Sequence, residues 1–361
     1  MSEFQVRKDS FLKHSLVATE QSPAISDGEI LVKIDRFAFT SNNITYAAAG
    51  DQLGYWQFFP PAGDDSEGWG VIPVWGFADI VASNVQELPA GERLFGYFPP
   101  ADHLKMRPVG VSDKRFIDGA EHRSKLPPGY NSYSRVAAEP GYDRAMDNER
   151  MLLWPLHITS FCLWDLLQDE DWYGAKQVII LSASSKTSIG LAYALEADAS
   201  APPVIALTSA RNSDLVKKLD LYDQTLTYEQ LAEIDASQPT VIVDMSGNGE
   251  VLGQLHTHLG DNMNHCINVG LTHWDETEPN KAVNTKRSKF FFAPSHIQKR
   301  LQDWGPDGFA EKTSSFMRDT SIKSRAWLKL KNIDGLEGLA AIYPDVCNGR
   351  VNADEGLIVV L

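Results

Sequence analysis

The order Gln177-Val178-Ile179-Ile180-Leu181-Ser182 constrains the fold of this chain more than any other feature. A short uninterrupted apolar run has the profile of a strand covered on both faces, as in the centre of a parallel sheet. A polar loop follows at 183–188, then a helix of small residues at 189–197 and a second apolar run at 204–207. The alternation continues through a helix at 214–218, a segment at 224–227, a helix at 228–234, a strand at 241–243, a helix at 251–259 and a strand at 266–269. A buried helix at 152–167 precedes it all. Strands alternating with helices predict a doubly wound parallel sheet, here over 151–294.

The chain before this point has a different rhythm. Residues 28–39 alternate, with Ile30, Val32 and Ile34 on one face and Leu31, Lys33 and Asp35 on the other, which predicts a half-buried strand. Strand-like runs at 71–82 and 93–97, separated by the turn Pro89-Ala90-Gly91, extend this into an irregular antiparallel barrel. Residues 99–141 show no sustained period and read as an excursion over the surface. A length of 361 residues favours two domains. These are a barrel domain at 1–150, to which 295–361 return with a strand at 357–361, and the sheet domain at 151–294.

Composition excludes several classes. A hydrophobic fraction of 43% and a charged fraction of 22% are those of a soluble globular protein, and no run is long enough to span a membrane. The polar first ten residues give no sign of a secretory leader. Three widely spaced cysteines, Cys162, Cys266 and Cys347, suit a reducing cytoplasm better than a disulfide framework. The net charge of −15 repels nucleic acid and anionic lipid, so neither is expected as a partner.

A dinucleotide-binding sheet ends its first strand in a tight turn that presents backbone N–H groups to a pyrophosphate. Here the turn is Ser182-Ala183-Ser184-Ser185-Lys186-Thr187-Ser188-Ile189-Gly190, which keeps one glycine of the usual G-x-G-x-x-G. Ser184, Ser185, Thr187 and Ser188 offer hydroxyl groups and Lys186 a cation where phosphates would lie. The same hydroxyls equally suit the capping of the following helix. Roughly 20 residues on, an NAD site places an acid on the ribose 2′-hydroxyl. This chain has Thr208-Ser209-Ala210-Arg211-Asn212 there, and Ser209, Arg211 and Asn212 suit a 2′-phosphate, unless Arg211 simply faces solvent.

With these loops in place, the chain resembles the zinc-independent quinone and enone reductase branch of the medium-chain dehydrogenase/reductases, as a divergent bacterial offshoot. The resemblance rests on Gly28-Glu29-Ile30-Leu31-Val32-Lys33-Ile34, on Gly91-Glu92-Arg93-Leu94-Phe95-Gly96, and on the strand-loop-helix at 178–195. It rests also on Asp244-Met245-Ser246-Gly247, and on Val269-Gly270 beside the expected nicotinamide. It implies an α/β chain with a GroES-like irregular β-barrel and a Rossmann doubly wound parallel sheet, NADP(H) as cofactor, cofactor contacts at Gly247, Val269 and Gly270, and a homodimer. The phosphate loop lacks two family glycines, 63–76 lacks the family's G-x-E-x-x-G, and 99–142 is an unusual insertion.

Neither zinc site of the related alcohol dehydrogenases has its ligands here: no cysteine precedes Cys162, and no Gly-His-Glu follows the barrel strands. His256, His258 and His265 lie close in sequence but read as helix-surface residues. The resemblance places substrate groups at 40–46, with Tyr46 as proton donor and Asn43 as a carbonyl or cofactor hydrogen bonder. A helix cap at Asn42 and Asn43, with Tyr46 packed on the barrel, is the equal alternative. Tyr55, Trp56, Phe58, Phe59, Trp69 and Trp75 would wall a pocket for a small apolar or aromatic substrate, or fill the core. The function implied is NADP(H)-dependent reduction of an activated C=C or C=O bond. An inactive dinucleotide binder and an enzyme of unorthodox chemistry, such as carbon–carbon cleavage, are the alternatives.

Overall fold

The computed structural model describes residues 1–19, 24–269 and 281–361. Its contacts divide the chain into two units, one of Met1–Leu152 with Lys329–Leu361, the other of Leu153–Leu328.

Unit 1 begins with β1 (Ser2–Arg7), β2 (Ser10–Ala18) and β3 (Ile30–Phe39), and then the short helix α1 (Ser41–Ala48). The strands β4 (Trp69–Gly70), β5 (Val74–Ser83), β6 (Arg93–Phe98), β7 (His103–Met106), β8 (Pro108–Val109), β9 (Arg115–Asp118) and β10 (Ser132–Arg135) follow. Leu31, expected on the outer face of β3, is buried like Ile30 and Val32. β3 is an interior strand, pairing antiparallel with β5 along one edge and with β7 along the other. Arg93 of the Gly-Glu-Arg turn is held at 2.7 to 3.1 Å by Asp35, Asp79 and Asp147. Such a network fixes register more than it adds stability.

The expected excursion at 99–141 is instead built into the unit. β7 to β10 lie within it, β10 pairs with β6, and Phe116, Arg123 and Tyr133 are fully buried. Arg123 forms an ion pair with Asp118, and the Tyr133 hydroxyl donates to the carbonyl of Tyr97 at 2.6 Å. These strands have two to four residues each, too few for a period to register.

Unit 2 receives the chain through α2 (Asp147–Asp169) and opens its sheet with β11 (Gln177–Leu181). It continues through α3 (Lys186–Glu196), β12 (Val204–Thr208), α4 (Ser213–Leu219), β13 (Gln224–Thr227), β14 (Thr240–Asp244), α5 (Gly249–Leu259) and β15 (Met263–Asn268). After the segment outside the described residues come β16 (Ser288–Phe290) and α6 (Ala293–Ser324). All strands are parallel, in the order β13-β12-β11-β14-β15-β16. This is the 3-2-1-4-5-6 order of the Rossmann sheet. Every residue of β11, β12 and β14 is buried, as their apolar runs demand. Residues 295–361 were expected to return to the barrel, a stretch that holds most of α6. Its contacts count with unit 2, where Asp165 of α2 accepts hydrogen bonds from His296 and Arg300, each at 2.6 Å. Gly305, with φ of 71°, and Pro306 break α6 into two helical pieces.

The return to unit 1 comes at β17 (Lys329–Asp334), α7 (Gly335–Cys347) and β18 (Glu355–Val360). β18 pairs with β17 on one side and β3 on the other, within the nine-stranded sheet of the barrel.

Candidate functional site

In unit 2 the chain leaves β11 towards β12 on one side, while β14 lies on the other. At such a switch point the loops diverge and open a crevice beyond the carboxyl ends of the strands. The loops after β11, β12 and β14 begin at this edge.

The turn after β11 keeps the backbone shape of a glycine turn without the glycines. Ser182 has φ of 55°, a left-handed conformation that costs a non-glycine residue about 1–2 kcal/mol. Two tyrosines hold it there. The Ser182 N–H donates to the Tyr228 hydroxyl at 3.2 Å, and the Tyr222 hydroxyl donates to the Ala183 carbonyl at 2.8 Å. Burial pushes the Tyr228 phenol up to about 12, so it stays protonated.

The hydroxyls of this turn divide into two groups. Ser185 caps α3: its Oγ accepts from the Ser188 N–H at 3.1 Å and donates to the Ser188 Oγ at 2.8 Å. Ser188 is fully buried, so capping accounts for both residues. Ser184 instead accepts from Asn212 Nδ2 at 3.0 Å and lies 3.4 Å from Thr208 Oγ1. This joins the loop after β11 to the loop after β12. Lys186 and Thr187 are partly buried in the first turn of α3. Gly190 has the packing role of the third family glycine, since a Cβ there would sit 2.6 Å from His157 Cδ2 and Ser160 Oγ.

After β12, Ser209 is partly buried and Arg211 exposed, on the short turn Ala210–Asn212. The first acid beyond the strand is Asp214, inside α4. After β14, the buried Asp244 carboxylate accepts from the Ser246 N–H at 2.8 Å and the Gly247 N–H at 3.2 Å. Gly247 has φ of 63°, which that loop requires of a glycine. The Val269 N–H donates to the Asp244 carbonyl at 2.8 Å, tying the last two loops together. Gly270 lies outside the described residues.

In unit 1 the candidates separate in the same way. Asn43 forms a capping box, its Oδ1 accepting from the Thr40 N–H at 2.8 Å while its Nδ2 donates to the Pro73 carbonyl at 2.9 Å. Its amide is thereby engaged in holding α1 in place. Tyr46 is buried in an aromatic cluster, its ring 4.6 Å from Tyr55 and 5.7 Å from Tyr97. Phe58, Trp75 and Tyr130 complete the cluster, and the hydroxyls of Tyr55 and Tyr130 meet at 3.0 Å. Burial raises the phenols of Tyr46, Tyr97 and Tyr130 far above the ordinary range, so they are hydrogen-bond donors. Tyr97 OH and Trp75 Nε1 are buried without a hydrogen bond of good geometry, which costs up to about 1–3 kcal/mol each.

Trp56 and Trp69 stand apart from the cluster. Trp56 lies over Gly50 and Gly70, where any Cβ would come within 2.6 Å of its ring, and Trp69 lies under Arg7. Sequence spacing did not single out Tyr97 and Tyr130, which strand pairing and the 99–142 segment bring in. The three neighbouring histidines have unrelated roles: His256 accepts from the Asn284 N–H, His258 bonds the Ile234 carbonyl, and His265 stacks on Tyr173. Among the described residues no group of His, Cys, Asp or Glu is arranged to hold a metal ion, and no helix is long and apolar enough to cross a membrane.

No curated protein matches the sequence. Several solved structures share its fold. CurA from Vibrio vulnificus, in complex with NADPH, is 13% identical with a TM-score of 0.66, over 100% of this chain and 99% of that one. A mutant form of enoyl thioester reductase from Candida tropicalis is 13% identical with a TM-score of 0.57, over 100% of both chains. Mycobacterial Rv1454c, complexed with NADPH, is 14% identical with a TM-score of 0.56, over 100% of both. These likenesses show the fold, a GroES-like barrel unit and a Rossmann sheet unit. Residues 37–352 match the family described as Protein of unknown function (DUF2855), and the chain belongs to that family.

Proposed function

We propose that the protein is an NADP(H)-dependent, zinc-independent reductase of an activated C=C bond, as in an enone or quinone, or of a C=O bond. The observation that carries this reading is the hydrogen bond from Asn212 to Ser184. It draws together two loops that carry Lys186 and Arg211, at a strand end with no acid to claim a ribose 2′-hydroxyl. Two structures of the same fold are NADPH complexes.

When bound, the nicotinamide would supply the hydride. The residues of the chain do the rest. The Ser182–Ser185 turn offers its backbone, kept in shape by Tyr222 and Tyr228, to the pyrophosphate. Ser184, Lys186 and Thr187 add polar contacts there, while Ser185 and Ser188 secure the helix end behind them. Ser209, Arg211 and Asn212 take the 2′-phosphate, with the guanidinium in a charge-assisted role. Gly247 and Val269 form the nicotinamide side. On the substrate side Tyr46 is the proton source and Asn43 positions α1 beneath it.

The same reading makes the protein a cytoplasmic homodimer, with the edge strand β16 as contact, since Phe290 there is 53% exposed. Light scattering on Phe290→Asp against the parent protein tests that contact, and an unchanged dimer counts against it.

Mixing the purified protein with NADPH and a panel of enones, quinones and aldehydes tests the activity. Oxidation of NADPH by at least one class is expected. A binder without turnover is the second reading, favoured by the cap that occupies Ser185 and Ser188; NADPH affinity with no oxidation across the panel would establish it. Absence of affinity for either dinucleotide removes both readings.

A further inference from the structure

His256 is a histidine whose bonding forbids a charge. It lies on α5, 4% exposed, and its Nδ1 meets the backbone N–H of Asn284 at 2.9 Å. A backbone N–H only donates, so Nδ1 must keep its lone pair and the ring must be the neutral tautomer protonated at Nε2. His258, two residues on, behaves differently: its Nε2 faces the Ile234 carbonyl at 2.9 Å, a bond that a neutral and a charged ring can both make. His14, His122 and His296 likewise face carbonyl or carboxylate oxygens. Among the described residues His256 alone accepts a hydrogen bond from the backbone.

That bond fastens a turn. The side chain of Asn284 accepts from the Lys286 N–H at 3.1 Å, and its carbonyl accepts from the Arg287 N–H at 3.2 Å and the Ser288 hydroxyl at 2.8 Å. These bonds close the turn on itself. Its ties to the rest of unit 2 include His256, the packing of Val283 on the cluster that holds Leu252, Leu255 and Leu259 of α5, and the Arg287 guanidinium, which donates to the Asp261 and Met263 carbonyls. The turn leads directly into β16, a three-residue edge strand paired on one side only, whose Lys289 and Phe290 are exposed.

We propose that His256 is an acid-sensitive latch: a proton taken up at Nδ1 sets N–H against N–H, breaks the bond to Asn284, and frees the 284–287 turn and β16 while the rest of the sheet stays closed. The titratable groups of α5 itself are Glu250 and His258, and the turns packed on it, Tyr228–Glu233 and Gly260–Asn262, bring Tyr228, Glu229, Glu233 and Asp261. The strands it covers bring Asp244, His265 and Cys266, and the segment 281–289 brings Lys281, Lys286, Arg287 and Lys289. None of these steadies a cation on the ring. Burial alone holds its pKa below the ordinary 6.5. The value in the closed turn is thus lower than in the open one, so stability of the closed turn from this group is complete above about pH 6.5 and is lost as pH falls further.

Hydrogen–deuterium exchange on the full chain, read by mass spectrometry and corrected for the chemical effect of pH, tests this. Between about pH 7.5 and about pH 5, peptides covering 281–290 should gain roughly tenfold in exchange over those covering β11 and β12. His256→Gln keeps an acceptor at every pH and should remove that gain, whereas His258→Gln should leave it in place. Nitrogen NMR of the histidine-labelled wild type reads the ring directly: His256 should be the neutral tautomer protonated at Nε2 near neutral pH, and should titrate in the interval where exchange rises. Should His256→Gln exchange freely already at neutral pH, the coincidence of ring titration and exchange in the wild type decides. The proposal fails if His256 is charged or carries its proton on Nδ1 near neutral pH, or if it stays neutral down to about pH 5. It fails equally if 281–290 stays protected while the ring titrates, if β11 opens in step with it, or if His256→Gln shows the wild-type gain.

Discussion

The turn after β11 and the aromatic cluster of unit 1 both gather hydroxyl groups, and they treat them in opposite ways. In the turn, Ser185 and Ser188 satisfy each other and the end of α3, and Tyr222 and Tyr228 spend their hydroxyls on backbone atoms. In the aromatic cluster, the buried Tyr97 OH and Trp75 Nε1 form no hydrogen bond of good geometry and have only the Tyr46 hydroxyl in reach. A polar group closed on its own neighbours holds a shape; one without a well-formed partner is held at an energetic cost. Asn43 shows the same distinction inside unit 1, because its amide is used at both ends while Tyr97, equally buried, has a hydroxyl without a well-formed partner.

Stability measurements test this contrast. Asn43→Ala should have the largest effect, destabilising the protein by about 3 kcal/mol, since it removes a capping box and leaves the Pro73 carbonyl unpaired. Urea unfolding measures it, and a loss below about 1 kcal/mol would place Asn43 among the poorly partnered groups instead.

A second test concerns the support beneath the turn. His157 is fully buried against Gly190, and burial, opposed only by the backbone of Lys186, pushes its imidazole down to about 3. Its folded value is below its unfolded one, so the unfolded chain takes up the proton first as pH falls. Stability from this group is therefore complete above about pH 6.5 and is lost progressively towards pH 3. Between pH 7 and pH 5 the loss should be about 2 kcal/mol from this group. His157→Gln should flatten the slope in that interval, and an unaltered slope would show that the acid sensitivity lies elsewhere.

The smallest expected effect has the opposite sign. Tyr97→Phe deletes a hydroxyl without a well-formed partner and should leave the unliganded protein unchanged or up to about 1 kcal/mol more stable. Thermal unfolding followed by circular dichroism reads this, and a clear destabilisation would mean that the hydroxyl has a structural partner.

The sheet of unit 2 was legible because β11, β12 and β14 are buried on both faces and show as apolar runs. β17 was not, since Lys329, Leu330, Lys331 and Asn332 are all exposed and only Ile333 is buried. α6 was hidden by Gly305 and Pro306 at its middle and by burying charged residues, His296 and Arg300, against Asp165. The loops after β11 and β12 could be located from strand ends alone. Which serines cap the helix and which join the two loops could not, because both uses favour the same residue type at the same place. Trp75 and Tyr97 meet only through the register of β5 against β6, which local spacing does not encode.

The central claim is that Arg211, with Ser209 and Asn212, takes a 2′-phosphate at the end of β12. Calorimetric affinities for NADPH and NADH, in the wild type and in Arg211→Ala, test it most directly. The account predicts that the wild type prefers NADPH, and that Arg211→Ala loses about 2 kcal/mol, roughly thirtyfold, for NADPH while its affinity for NADH is unchanged. Equal affinities in the wild type, or a parallel loss for both dinucleotides in the variant, would contradict it.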